Sequence, residues 1–156
     1  MTRLRSQAAR GLTLIELLVS IAVLGVLAGV AMPLVQVSVQ RTHELELRRA
    51  LRKMREGIDQ FKAEYDKARG NARDARTDFK KRISVDRTGY PLTLDEMVEA
   101  KILRRIPPDP MTPTGKWIPR SFSDNTDTSL SDAKDVYDIR SASKAVALDG
   151  TTYDTW

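Results

Sequence analysis

The chain has no cysteine and one histidine. The first absence excludes a disulfide-stapled miniprotein, a Cys-ligated zinc site and a thiol nucleophile. The second argues against a His-built catalytic or metal centre, and His43 reads as a solvated polar residue. Charge is missing from one long stretch, with none between Leu17 and Val35. The formal net charge is +5, but Arg3, Arg5 and Arg10 precede the apolar block, and without them the chain is close to neutral. The high pI is therefore no argument for nucleic acid. At 156 residues there is room for one modest domain.

What is present is concentrated early. Residues 1–11 are short, basic and free of acids. Residues 12–35 read LTLIELLVSIAVLGVLAGVAMPLV, with Glu16 as their one charge. At about 1.5 Å per residue a helix of this length covers roughly 36 Å, enough to cross a hydrocarbon core. A cleaved secretory signal would use Gly29-Val30-Ala31 as its cutting site, but such apolar regions are normally shorter and lack a carboxylate. A plain signal anchor explains the length and leaves Glu16 unexplained. A third reading gives Glu16 a partner. A carboxylate in an apolar layer is costly alone and tolerable beside a cation. A cut between Gly11 and Leu12 would create an α-amino group that Glu16 of a neighbouring subunit could neutralise, fixing the axial register of stacked helices.

The run Arg10-Gly11-Leu12-Thr13-Leu14-Ile15-Glu16 resembles the class III signal of type IV pilins and pseudopilins. In that pattern a Gly precedes the cut, a hydrophobic residue follows it, and Glu is fifth in the mature chain. Pro33 falls where this family carries a helix-kinking proline, and Leu12 replaces the commoner phenylalanine. The resemblance implies cleavage after Gly11 and N-methylation of Leu12 by a prepilin peptidase. It also implies that the N-terminus faces the cytoplasm. Counting basic residues alone favours the opposite topology, because Arg41, Arg48, Arg49, Arg52, Lys53 and Arg55 follow the apolar block.

Beyond the membrane segment, Leu47, Leu51, Met54, Ile58, Phe61, Tyr65 and Ala68 recur at alternating spacings of four and three, one seam on a helix face. One helix is expected from Leu12 to about Arg69, with Gly25, Gly29 and Pro33 as weak points and a bend at Pro33. From Met54 onward the seam is expected to pack on the chain's own C-terminal domain, whereas Leu45 and Leu47 are assigned to a subunit contact. The basic run at 48–55 lacks aromatics to stack bases and is read as a solvated or intersubunit salt-bridged face. Gly70-Asn71 suggests the helix stop, although Ala72, Ala75 and Phe79 prolong the seam.

In the C-terminal part, Thr93 and Glu96 form a capping box for a short helix ending near Lys101, with Leu94, Met97, Val98 and Leu103 as its buried face. Four prolines between Pro107 and Pro113 make an ordered extended loop. Strands are expected at 116–122 and 135–141, a third near 145–148, and a polar loop at 123–132. Trp117, Phe122 and Tyr137 are expected in the core.

The order Tyr90-Pro91, short helix, RRIPPDPMT, Trp117, then residues 136–156 is similar to the globular half of the major pseudopilins of type II secretion, the G subunit. The Pro-rich loop and the Asp149-Gly150, Tyr153, Trp156 ending carry that likeness. The family often binds calcium in this region. The candidates here are Asp135 and Asp149, with Asp132, Asp138 and Asp154 near in sequence. Their spacing does not reproduce the family's usual metal loop, and solvated loop acids are the alternative.

The expected fold is therefore α+β and type IV pilin-like, a long N-terminal membrane-spanning helix packed on a small antiparallel sheet. Residues 1–11 are the cleaved leader, 12–35 the transmembrane or filament-core half of the helix, 36–69 its periplasmic half and 70–156 the globular pseudopilin domain. The expected role is structural, with no catalysis, no cofactor unless calcium binds, and no nucleic acid. The chain is expected in the inner membrane, its C-terminal domain periplasmic. Partners implied by the resemblance are further copies of the chain, minor pseudopilins, the prepilin peptidase, an inner-membrane assembly platform and, indirectly, the secretion ATPase. A type IV pilin for motility, adhesion or DNA uptake and a membrane-anchored periplasmic binding protein are the alternatives.

Overall fold

The computed structural model describes residues 13–124 and 131–156. The elements in chain order are α1 (Leu14–Arg69), α2 (Thr77–Lys80), α3 (Leu94–Glu99), β1 (Trp117–Arg120), β2 (Asp138–Ser141) and a 3-10 turn, Tyr153–Thr155. This is an α+β layout of one long apolar-to-amphipathic helix and a two-stranded antiparallel sheet, consistent with a pilin-like fold. The chain divides into two units, Met1–Val39 and Gln40–Trp156.

α1 begins on a side-chain cap. The Glu16 amide donates to Thr13 Oγ1 at 3.2 Å, and the Leu17 amide to the Thr13 carbonyl at 3.1 Å, which satisfies donors that a helix start leaves free. The expected start at Leu12 lies outside the described residues. α1 runs through Pro33 without a break. It stops at Arg69, where Asn71 takes the left-handed conformation at φ 54°. The Ala72 amide then reaches back to the Lys67 carbonyl at 3.1 Å, closing the last turn.

In the second unit, the seam of α1 is the spine of the core. Leu47, Met54, Phe61, Tyr65 and Ala68 are fully buried, with Leu51 and Ile58 nearly so. Side chains of the larger types contribute roughly 1.5–3 kcal/mol each when buried. Leu47 was assigned to a subunit contact; it belongs instead to the chain's own core, while Leu45 next to it stays exposed. Phe79 joins the same core from α2, edge-on to Phe61 at 5.0 Å. The seam thus continues across the helix stop by a turn of chain rather than by more helix. Gly57 sits where a Cβ would press on Leu103 at 3.3 Å, so glycine lets that leucine close onto the helix.

α3 is capped by Thr93, whose hydroxyl accepts from the Glu96 amide at 3.3 Å. The reciprocal half of the box is displaced. Glu96 accepts from the Leu92 amide at 2.7 Å and from Arg82 and Arg87 at 2.8 and 2.7 Å, because two guanidiniums outcompete a backbone amide one residue on. The helix ends at Glu99, near the expected Lys101, which has turned to φ 54°.

β1 and β2 pair in the register Trp117↔Ser141 to Arg120↔Asp138. Both are shorter than the expected 116–122 and 135–141. The third strand near 145–148 is reduced to one bridge, Val146↔Thr152, since the Asp149-Gly150 turn folds the segment back on itself. Trp117, Val136 and Ile139 are buried beside the seam, giving a sheet too small to stand alone the face it needs. Phe122 and Tyr137 do not fill the core; they are 61% and 46% exposed and pack on Tyr90 and on each other. The Pro-rich loop is ordered around buried Asp109. Its carboxylate accepts from the Met111 amide at 2.9 Å and from the Ser141 hydroxyl at 2.7 Å. Part of the polar loop at 123–132 lies outside the described residues.

Candidate assembly site

The N-terminal half of α1 presents apolar side chains outward. Leu14, Leu24, Leu27, Met32 and Leu34 are all exposed, and the most apolar stretch is long and apolar enough to cross a membrane by length and composition. Gly25 and Gly29 face open space, so nothing within the chain requires their smallness. Ser20, the polar residue of this stretch, donates to the Glu16 carbonyl at 2.7 Å, which satisfies its hydroxyl inside the helix.

Glu16 is the acid of the first turn, where a negative charge meets the positive end of the helix dipole. Among the described residues its carboxylate has no ion-pair partner. Gly11 and Leu12, the expected processing residues, lie outside the described residues. Pro33 is inside α1 and exposed. Glu16 and Pro33 therefore both belong to an uncovered apolar helix, and the arrangement has one chemical use: burial against lipid or against other helices.

Four of the five acidic candidates of the C-terminal domain are engaged by the protein itself, whereas Asp154 Oδ1 is buried without a hydrogen-bond partner among the described residues. Asp135 is buried and accepts from Thr88 Oγ1, from Ser121 Oγ at 2.7 Å and from the Phe122 amide at 2.9 Å. Asp149 accepts from the Thr151 hydroxyl and amide at 2.6 and 3.0 Å. Those bonds and the Arg48 charge hold its carboxyl below the usual range. Asp132 is held well below it, first by the Ser123 hydroxyl. Asp138 pairs with Arg55 at 2.7 Å. Among the described residues no group of three or more His, Asp or Glu side chains could hold a metal ion. Hydroxyls, amides and arginines are their partners, where calcium would need six to eight oxygens.

The basic run at 48–55 is only partly a solvated or intersubunit face. Arg48 lies 4.3 Å over the Trp156 ring and 3.4 Å from Asp149. Arg55 reaches the Trp156 backbone oxygen at 3.0 Å as well as Asp138. Glu44, which the sequence pattern does not single out, is a second anchor of the domain. Its Oε1 accepts from the Leu148 amide at 2.8 Å and from the Tyr153 hydroxyl at 2.9 Å. No local signal marks it, because its partners lie about a hundred residues away in sequence. His43 is half exposed, with Glu46 at 3.8 Å.

A capped helix start, an acid in its first turn and an uncovered apolar run behind it are the parts of one signal. Residues 6–32 match the family model of the prokaryotic N-terminal methylation motif. The motif indicates a type IV pilin-like substrate of prepilin peptidase, and it implies both that processing and assembly into a filament. With the membrane-capable helix it is consistent with an inner-membrane anchor. The match supports the type IV pilin-like family broadly. No curated protein and no solved structure matches the chain.

Proposed function

We propose that the chain is a structural subunit of the type II secretion pseudopilus, polymerising into a periplasmic helical filament that drives export of folded proteins across the outer membrane. The observation that carries the filament part is the methylation motif at residues 6–32 joined to an exposed apolar helix. Cleavage after Gly11 frees the Leu12 amine, and Glu16 of a neighbour neutralises it. Exchanging lipid for protein around an apolar helix costs little, so subunits can leave the membrane for the filament core. The secretion role, rather than that of a pilin, is supported by the likeness of residues 89–156 to major pseudopilins and by the lack of any cysteine to close a C-terminal disulfide loop. In this reading the globular domain is periplasmic, the chain performs no catalysis, and energy comes from a cytoplasmic ATPase through a membrane platform.

The test is N-terminal sequencing of the mature protein, together with gene deletion. The mature chain is expected to begin at Leu12, and Gly11→Leu is expected to leave the precursor uncut. Loss of exoprotein release on deletion supports the secretion role. Loss of twitching with normal release assigns the chain to a motility pilus instead.

A further inference from the structure

The segment of chain that returns to α1 after β2 holds side chains that the fold does not use. The Val146 carbonyl accepts from Gln40 Nε2 at 3.2 Å, and the Leu148 amide donates to Glu44 Oε1 at 2.8 Å. Val146 is also bridged to Thr152 across the Asp149-Gly150 turn. The backbone of residues 146–148 is thus fastened to the first turns of α1 within the unit Gln40–Trp156. The side chains of Val146 and Leu148 nonetheless stay exposed, and so does that of Leu45 on α1.

The charges of this face are unequally engaged. Glu44 accepts from Gln40 Nε2, the Leu148 amide and the Tyr153 hydroxyl. Asp149 is paired with Arg48 at 3.4 Å and takes both donors of Thr151. Arg41 and Lys144 are exposed, and neither has an ion pair or hydrogen bond among the described residues. At about 100° per residue, Gln40, Arg41, Glu44, Leu45 and Arg48 share one flank of α1. Glu46 falls on the other, where it lines a groove with Arg49 and Lys53. The face therefore carries Leu45, Val146 and Leu148 beside two uncommitted cations, and its acids already have partners.

Its place along the chain points to what covers it. Gln40 follows directly on Val39, the last residue of the unit that holds the apolar span. From Val35, where the apolar block ends, to Gln40 is about 7–8 Å of helix. The headgroup layer on each side of a hydrocarbon core is roughly 5–8 Å deep. A bilayer that holds the span thus brings phosphate-bearing headgroups to the Gln40 edge of the face. Apolar side chains seat at the boundary of headgroups and acyl chains, while Arg and Lys reach anionic headgroups along their own methylene stems. The far end of the unit has no such neighbour. Val85 adjoins Ser84, whose carbonyl takes the Tyr65 hydroxyl at 3.2 Å, and Tyr65 is roughly 38 Å of helix from Gln40.

We propose that the face formed by Arg41, Leu45, Lys144, Val146 and Leu148 docks on the anionic phospholipid surface of the bilayer in which the chain's own helix is anchored. This rests on the membrane-anchored filament reading and adds to it a docked state of the globular domain before assembly. Entry into the filament then requires release of this face as well as extraction of the helix.

The native absence of cysteine allows one nitroxide label to be placed at a time. Leu24→Cys in the apolar span, Ala145→Cys on the face and Val85→Cys at the far end are all at exposed positions. Each full-length chain is labelled and reconstituted at high lipid excess into vesicles of phosphatidylcholine alone, or of phosphatidylcholine with phosphatidylglycerol. Paramagnetic resonance then reads collisions of the label with oxygen, which enters lipid, and with a nickel chelate, which stays in water. The label at 24 is expected in lipid and that at 85 in water, in both vesicles. The label at 145 is expected to move from water towards lipid when phosphatidylglycerol is present. Arg41→Gln and Lys144→Gln should each cut its lipid-facing population about fivefold there. Water at 145 in both vesicles, or equal lipid exposure in the two, with 24 in lipid, overturns the docking and leaves the anchoring standing. Shielding at 145 that grows with protein density and not with phosphatidylglycerol gives the face to a second copy and also overturns it. Water at both 24 and 145 overturns the docking and the anchoring together.

Discussion

The Tyr153 hydroxyl donates to Glu44 Oε1 across 2.9 Å, and that bond ties the last turn of the chain to the first turn of α1 inside the globular unit. The same carboxylate oxygen takes the Leu148 amide, and Gln40 Nε2 donates to the Tyr153 oxygen at 3.1 Å. Glu44 is thus one of the points to which residues 145–156 are fastened, beside Arg48 and Arg55.

Removing one donor and removing the hub should differ. Tyr153→Phe leaves Glu44 with its other partners and is expected to cost about 1 kcal/mol. Glu44→Leu removes the acceptor of the exposed Leu148 amide and of the buried Tyr153 hydroxyl together and should cost about 2–3 kcal/mol. Urea denaturation of the full chain in detergent, followed by far-UV circular dichroism, measures both. Equal losses would mean that the hub holds nothing beyond the tyrosine.

Asp109 is 2% exposed and organises the Pro-rich loop through Met111, Ser141 and Ala142. Asp109→Ala leaves the buried Ser141 hydroxyl and the part-buried Met111 and Ala142 amides without this acceptor and should destabilise by roughly 2 kcal/mol. Ser141→Ala, which deletes one of those donors, should cost about 1 kcal/mol. The same denaturation series compares the two variants.

Glu96 supplies a pH dependence. Burial alone would raise its pKa, but the bonds from Arg87, the Leu92 amide and Arg82 outweigh burial and hold it below the ordinary value of 4.5. Between those two values the unfolded chain binds the extra proton, so stability falls as pH drops. The contribution is complete above about pH 4.5 and is lost as pH falls through the lower folded value. Glu96→Gln should be less stable at neutral pH, and its melting temperature should decline less than the native protein's on acidification. Parallel declines for the two proteins would remove Glu96 as a source.

Glu16→Leu should insert into the membrane as well as the native chain, since it removes the one charge of the apolar block. Filament yield by electron microscopy, or the methyl mass on the mature N-terminus, should drop sharply. Native yields of both would show that Glu16 does not serve the Leu12 amine.

The periodic features were legible because they are local. A seam spaced three and four apart appears in any window of the chain, and it became the buried face of α1. Thr93 capped α3 as its own neighbours require, and the prolines between Pro107 and Pro113 kept that loop extended. The acid within the apolar block falls in the segment that matches the methylation motif.

The misplaced residues share a different cause. Phe122 and Tyr137 have the composition of a core and lie on the surface, where they pack on Tyr90 and on each other. Arg48 and Arg55 looked like one solvated face until Asp149, Asp138 and Trp156 were folded beside them. Glu44 carries no local mark of its task. The sequence alone determined which face of the long helix is apolar and that it stops near Arg69, because those follow from residue spacing and backbone chemistry. Tertiary structure decided which charges are paired and which aromatics stay in water, because both depend on which distant segments return to the helix.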